Sequence, residues 1–338
     1  MIGSRRAHRR PYFFEIFVAA HLIFILAVIK TRGPDISLLI AGDVISTIIM
    51  LATQALGGVL LRWIVEAFRG RGRRFLRRVG SRGWMTDSLR LVVFGALSTG
   101  VYGAIKLLVP IYHPVLYDRA LWDLEQRMFG GYAPVVFVIS LFSNPKLLWF
   151  FDAAYAKIFF TSLFIAFGFF LSHPSRRVRV AFANGNVTLW IVGAWLYLLI
   201  PSLGPAYAFP DLWIQIRDLT PVTNVWHVKL MVNYKNVLKL TRGIDAPLTF
   251  MYGIAAFPSM HVAFQTFVFL WMRRLWISGQ VIFGVFTLII FLGSMITGWH
   301  YLIDGLAGFA LALACYWAFA RNLGRADVPV LPAARERG

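Results

Sequence analysis

Long apolar runs, separated by short arginine clusters and turn residues, set the pattern of this chain. A helix crossing the hydrocarbon core of a bilayer needs about 20 predominantly apolar residues. On that basis eight spans are predicted, roughly at 12–30, 37–61, 89–111, 147–171, 181–200, 252–272, 276–297 and 300–320. The basic clusters between them are "RRAHRR" at the start, "RGRGRRFLRRVGSR" at 69–82, "SRRVR" at 175–179, "MRR" at 272–274, and Arg321 with Arg325. Threading eight helices in turn puts all of these on one side, and excess Lys/Arg marks the cytoplasmic side. Both termini are therefore expected in the cytoplasm. The segments 31–36, 112–146 and 201–251 and a tight turn near 298 fall on the other face. The first run follows a basic stretch, as a signal peptide would, but it is long and lacks a small-residue cleavage site. A retained helix is expected.

Two of the outer segments are long. In "VLYDRALWDLEQRMFGG", Leu116, Ala120, Leu121, Leu124 and Met128 recur at helical spacing with charges between them, which predicts an amphipathic helix lying on the outer membrane face. The second, from Pro201, mixes turn residues with aromatic and basic stretches. A structureless segment of that length is unusual in a compact protein, so a functional one is expected. The organisation predicted is a transmembrane hairpin with a basic cytoplasmic loop over 1–88, a catalytic transmembrane domain over 89–325, and a cytoplasmic tail over 326–338.

Composition agrees with the runs. The chain of 338 residues is 59% hydrophobic and 14% charged, against about 45–50% and about 25% in soluble domains. The fold class is all-α, a polytopic helical bundle in the cell membrane. A net charge of +19 on one soluble face would point to nucleic acid; here it is spread over inter-span clusters, and no nucleic-acid partner is expected. The single cysteine, Cys315, excludes an internal disulfide and a multi-cysteine metal site. His21, His113, His173 and His227 are scattered, and no HExxH spacing occurs. No metal or cofactor is expected.

Two histidines stand out against this background. "AFPSMHVAF" puts His261 at the outer end of the sixth span, and "ITGWHYLIDGLAG" puts His300 at the outer end of the eighth. Burying an imidazole in hydrocarbon without a partner costs several kcal/mol or so. Either histidine alone could be interhelical packing, but their placement at one membrane face favours chemistry. Asp304, four residues after His300, lies on the same helical face one turn deeper. From there it can fix the tautomer of the imidazole and stabilise its charge. Two histidines and an aspartate suit phosphoryl transfer through a phosphohistidine. A proton relay in a transporter is the rival use, but the sequence lacks the internal repeats and midplane helix breaks of that class.

"FPSMH" followed by "HYLID" resembles the second and third signatures of the type-2 phosphatidic acid phosphatase superfamily, and most of all its inositol phosphorylceramide synthase and sphingomyelin synthase branch. The likeness covers about residues 200–310, with a weaker one through "YDRALWDLEQRMFGG" and "PSLGPAY". It implies a six-helix phosphatase-like core preceded by N-terminal helices. It also implies His300 as nucleophile, Asp304 as its orienting carboxylate and His261 as the acid that protonates the leaving oxygen. "KNVLKLTRG" carries Lys235 and Arg242 at the family's lysine–arginine spacing, followed by Gly243 rather than proline. The resemblance thus implies Lys235, Arg242 and Ser259 as phosphate ligands. The family's serine–arginine pair would fall on Gly293 and Ser294, so that arginine is missing, as it is in the synthase branch. The activity implied is transfer of a phosphoryl or phosphoalcohol group from a phospholipid or prenyl (pyro)phosphate donor to an alcohol acceptor, inositolphosphotransfer among the possibilities. A lipid or polyprenyl diphosphate phosphatase is the alternative. The partners implied are that donor, that acceptor and membrane lipids.

Three further charges lie within predicted spans. Asp43, Asp152 and Lys157 are expected to stabilise the bundle, Lys157 by facing its interior with a partner or water.

Overall fold

The computed structural model describes residues 11–32, 34–321 and 323. The first basic cluster, Arg325 and the expected tail lie outside the described residues. In chain order the helices are α1 (Phe13–Arg32), α2 (Ser37–Phe68), α3 (Gly72–Val79), α4 (Arg82–Tyr112), α5 (Asp118–Met128), α6 (Pro134–Leu141), α7 (Pro145–Leu171), α8 (Arg176–Leu199) and α9 (Pro205–Ala208). A 3-10 helix over Pro210–Leu219 follows, then α10 (Pro221–Leu240), α11 (Met260–Leu275), α12 (Ile277–Ile296) and α13 (Leu302–Ala320). Among the described residues there is no strand. The protein is a polytopic membrane helical bundle.

Seven of these helices are long and apolar enough to cross a bilayer: α1, α2, α4, α7, α8, α12 and α13. They coincide with seven of the eight expected runs. The eighth is realised as α11, a helix of 16 residues, about 24 Å at 1.5 Å per residue. It is buried along most of its length, with Val262, Ala263, Phe264, Phe267, Val268, Trp271 and Met272 each at most 2% exposed. α11 begins at Met260 rather than near 252 because Pro258 has no N–H to donate into a helix and disfavours helical backbone at the residue before it. The backbone before it is satisfied elsewhere: the Ala256 N–H donates to the Ser202 carbonyl at 2.9 Å and the Phe257 N–H to Ser202 Oγ at 3.0 Å. Ser259 then caps α11, its hydroxyl accepting from the Val262 N–H at 3.4 Å.

The arginine-rich end of the bundle is sewn together by ion pairs. Glu15 of α1 pairs with Arg90 of α4. Asp87 of α4 accepts from Tyr12 at 2.9 Å and pairs with Arg176 of α8 at 2.9 Å. Arg179, 2% exposed, donates to Ser88 at 2.7 Å. Part of the basic cluster at 175–179 therefore joins helices.

The intramembrane charges divide. Asp43 accepts from Thr99 at 3.1 Å across the α2–α4 contact, a packing role as expected. Asp152 accepts the Val222 and Thr223 N–H groups at 2.9 and 2.7 Å, so a carboxylate of α7 caps the start of α10. Lys157 is exposed rather than turned inward. Its neighbours Tyr155 and Phe159 take the inner face of α7, and at 100° per residue position 157 points away from both. Lys157 lies between Tyr155 and Phe159, whose rings flank His261, so it stands at the level of that histidine along α7.

The amphipathic segment is helical, as α5, but its burial differs from the apolar pattern. Ala120, Leu124 and Met128 are exposed, while Leu121 turns inward with Trp122 and two carboxylates, Asp118 and Glu125. The segment from Pro201 is not structureless: α9, the 3-10 helix and α10 occupy most of it.

Candidate active site

The α12–α13 turn presents His300. At Gly298 the chain takes φ +75°, where a Cβ would stand 2.5 Å from the Cβ of Ala206 and 2.6 Å from Nε1 of Trp213. Only glycine fits both the conformation and the space. The Trp299 and His300 N–H groups then donate to the Ser294 carbonyl at 2.9 and 3.1 Å, which locks the turn. Helix α13 opens with Asp304 as its third residue, and Asp304 Oδ2 accepts from the Tyr301 N–H at 2.9 Å. The same oxygen lies 3.4 Å from His300 Nδ1. One carboxylate thus closes the helix start and faces the imidazole. Asp304 is fully buried and His300 is 4% exposed; the other oxygen, Asp304 Oδ1, is buried with no hydrogen-bond partner.

His261 is the second residue of α11. Its ring centroid lies 6.1 Å from that of His300, 5.2 Å from Tyr155 and 4.2 Å from Phe159. The two helix starts are pinned to each other, because the Ser259 N–H donates to the Asp304 carbonyl at 2.9 Å. Gly308 makes that approach possible: a Cβ there would stand 2.4 Å from the Ser259 carbonyl oxygen. His261, His300, Asp304 and Ser259 are therefore brought together, with Ser259 fully buried as the cap of α11.

Lys235 and Arg242 are not assembled with them. Asn233 and Val237 are the buried positions of this part of α10, with Asn233 bonded to Thr249 and Tyr252. Lys235 and Lys239 are consequently turned outward, and Arg242 is exposed in the turn beyond. Lys106 of α4, a residue that sequence reasoning passed over, packs against the segment that leads into α11: a Cβ at Gly253 would lie 3.0 Å from its Cγ. Its Nζ lies 5.8 and 5.7 Å from the ring centroids of Tyr102 and Tyr197, whose hydroxyls meet at 3.2 Å. A single lysine near the end of an apolar run carries no signal of this. The position allotted to the family's arginine, Ser294, is 1% exposed and its hydroxyl donates to the Phe291 carbonyl at 2.8 Å, while a Cβ at the position of the family's serine, Gly293, would lie 3.3 Å from the ring of Tyr155.

The buried carboxylates of α5 support the same turn from outside. Asp118 accepts from the Leu203 N–H at 2.9 Å, the Gly204 N–H at 2.9 Å and the Tyr301 hydroxyl at 2.9 Å. Glu125 Oε1 accepts from the Ile303 N–H at 2.7 Å, at the first turn of α13. Burial raises the Asp118 carboxyl above its ordinary range. Burial, with a smaller contribution from the charge of Asp304, pushes Glu125 up to about 7. His227 packs edge-on against Trp299 at 4.1 Å, centroid to centroid, and burial lowers it to about 3.

A family model described as the PAP2 superfamily matches residues 119–318. The chain belongs to the PAP2 superfamily. The match takes in α5 through most of α13, with His261, His300 and Asp304, and leaves out α1 to α4 and hence Lys106. No curated protein and no solved structure matches the chain. PAP2 superfamily membership makes this multi-pass membrane protein one of a class of phosphatases and phosphotransferases that act on phosphate esters.

Proposed function

We propose that the protein is a membrane lipid phosphotransferase with its site at the extracytoplasmic face. It takes a phosphoryl or phosphoalcohol group from a phospholipid or prenyl (pyro)phosphate and delivers it to an alcohol. The observation that carries this reading is the opposition of His261 to His300 at 6.1 Å, with Asp304 3.4 Å behind the His300 ring. With Nδ1 turned to Asp304, His300 offers Nε2 to phosphorus. The new N–P bond forms as the P–O bond to the leaving group breaks, and the leaving oxygen takes a proton from His261. Asp304 stabilises the imidazolium formed on His300. His261, now neutral, removes the proton of the incoming alcohol, whose oxygen attacks phosphorus as the N–P bond breaks. Water in place of the alcohol gives hydrolysis by the same steps.

The test uses purified protein with candidate phospholipids and polyprenyl diphosphate, with and without diacylglycerol, ceramide or inositol as acceptors. A new phosphodiester product that depends on the acceptor supports transfer. Free phosphate in every mixture would make the protein a phosphatase. His300→Ala should abolish turnover and Asp304→Asn should retain a trace, since analogous loss of the orienting carboxylate costs about 10⁴-fold in a well-studied triad. Ordinary rates in either variant would overturn the assignment.

A further inference from the structure

The charge balance around the two histidines is incomplete. An ionised substrate phosphate entering between His261 and His300 also meets Asp304, and the low dielectric of the site strengthens that repulsion. Positive charge must come from the protein. Lys235 and Arg242 are exposed and turned outward, whereas Lys106 is half-buried with its side chain against Gly253, in the segment that leads to His261.

Lys106 is half-buried in the longest-buried span of the bundle, and no carboxylate pairs with it among the described residues. Its head group is held by the faces of Tyr102 and Tyr197 instead, at 5.8 and 5.7 Å. A half-buried ammonium group kept in a span without a counter-ion is by default a candidate functional position. Its neighbour leads back to the histidines: a Cβ at Gly253 would lie 2.9 Å from the Lys106 carbonyl oxygen and 3.0 Å from its Cγ, and Gly253 stands in the segment that runs into α11 and His261. A second observation points to the same space. The hydroxyl of Tyr155, a residue 5% exposed, is buried without a hydrogen-bond partner, and its ring lies 5.2 Å from that of His261. A buried hydroxyl left unpaired is costly unless a ligand completes it.

We propose that Lys106 is the phosphate-binding cation of this site and that the Tyr155 hydroxyl donates to the same phosphate, so that α4, outside the family match, supplies part of the catalytic centre. This rests on the phosphotransfer reading above. The ligand is a tetrahedral phosphate oxyanion, monoester or diester, and its charge is the missing counter-ion of Lys106.

The experiment measures binding of inorganic phosphate to the full-length protein in detergent by calorimetry, beside steady-state turnover of a lipid phosphate. Lys106→Met should weaken phosphate binding and lower kcat/KM by about 10- to 100-fold, the scale of a lost hydrogen bond to a charged group. Lys106→Arg should recover most of both, and Tyr155→Phe should lose about 3- to 10-fold as a neutral donor. Lys106→Gln replaces Lys106→Met if the latter does not fold. Lys235→Met should stay within about twofold of wild type, as an exposed charge does. His300→Ala should still bind phosphate in a Lys106-dependent way while turning over nothing. If wild type turns over and Lys106→Met binds phosphate and reacts within threefold of it, Lys106 is not the ligand, though the phosphotransfer reading stands. If wild type neither binds phosphate nor turns over any phosphate ester, both fall.

Discussion

Tyr301 donates its phenolic hydrogen to Asp118 at 2.9 Å, across 183 positions of sequence. The bond ties the residue after His300 to a surface helix, and Asp118 also accepts the Leu203 and Gly204 N–H groups. Replacing Asp118 by Ala strands three buried donors at about 1–3 kcal/mol each. Asp118→Ala should therefore lower the melting temperature in detergent far more than Tyr301→Phe, which leaves both backbone bonds in place. Activity should fall with it, because the turn presenting His300 loses its anchor. Equal melting temperatures for the two variants would show that the Asp118 acceptors are not holding the fold.

Glu125 gives a pH dependence with a defined sign. Its folded value, about 7, lies above the 4.5 of a free glutamate, burial being the main cause and Asp304 the second. The proton is bound more tightly in the folded state, so this contribution to stability is complete below about pH 4.5 and is lost as pH rises through about 7. Glu125→Gln keeps an oxygen for the Ile303 N–H and cannot ionise. Melting curves between pH 6 and 8 should show a fall for wild type that is smaller in Glu125→Gln. Parallel slopes would remove Glu125 from the titration.

The parts of this protein that were legible in its sequence share a physical property: they depend on local composition or on short sequence spacing. Seven apolar runs became seven spanning helices, and Asp304 does face His300, at 3.4 Å, but by capping the start of α13 rather than by sharing a helical face, since His300 and Tyr301 precede the helix. The start of α11 was not legible from hydropathy, since "MYGIAAF" is as apolar as the helix it precedes; Pro258 and Ser259 held the information. Asp118 and Glu125 alternate with arginines in α5 and read as a solvated face. Their burial depends on backbone donors at 203, 204 and 303, which no local pattern announces. Lys106 is the same case. Nothing in "YGAIKLLVP" reveals that Tyr197 and Gly253 come to its side.

The orientation can be read with thiol chemistry, because Cys315 is buried and gives little background. Cysteines introduced at Arg127 and Lys239, both exposed on the histidine side, should react with a membrane-impermeant maleimide in intact cells. One at Arg77, exposed in α3 amid the arginine-rich segment, should react only after the cells are opened. The excess of arginine at that end sets this expectation. Labelling of Arg77→Cys from outside would invert the bundle and move the site to the cytoplasmic face.

His261 is distinguished from a packing residue by how its loss depends on the leaving group. Its ring is flanked by Phe159 and Tyr155 as well as facing His300, so a purely structural role would damage all substrates alike. A general acid does not. An alkoxide leaving oxygen needs a proton in the transition state, while a nitrophenoxide departs without one. His261→Ala should lose about 10²–10⁴-fold on an alkyl phosphate donor, the usual range for general acid catalysis, and much less in the first half-reaction with a nitrophenyl phosphate-type donor. The second half-reaction then lacks its base, so acid-labile phosphate should accumulate on His300 and be trapped by rapid quenching. His300→Ala should show neither rescue nor label with any donor. Equal losses for His261→Ala on both donors, in a protein that melts like wild type, would assign His261 to packing and place the acid elsewhere.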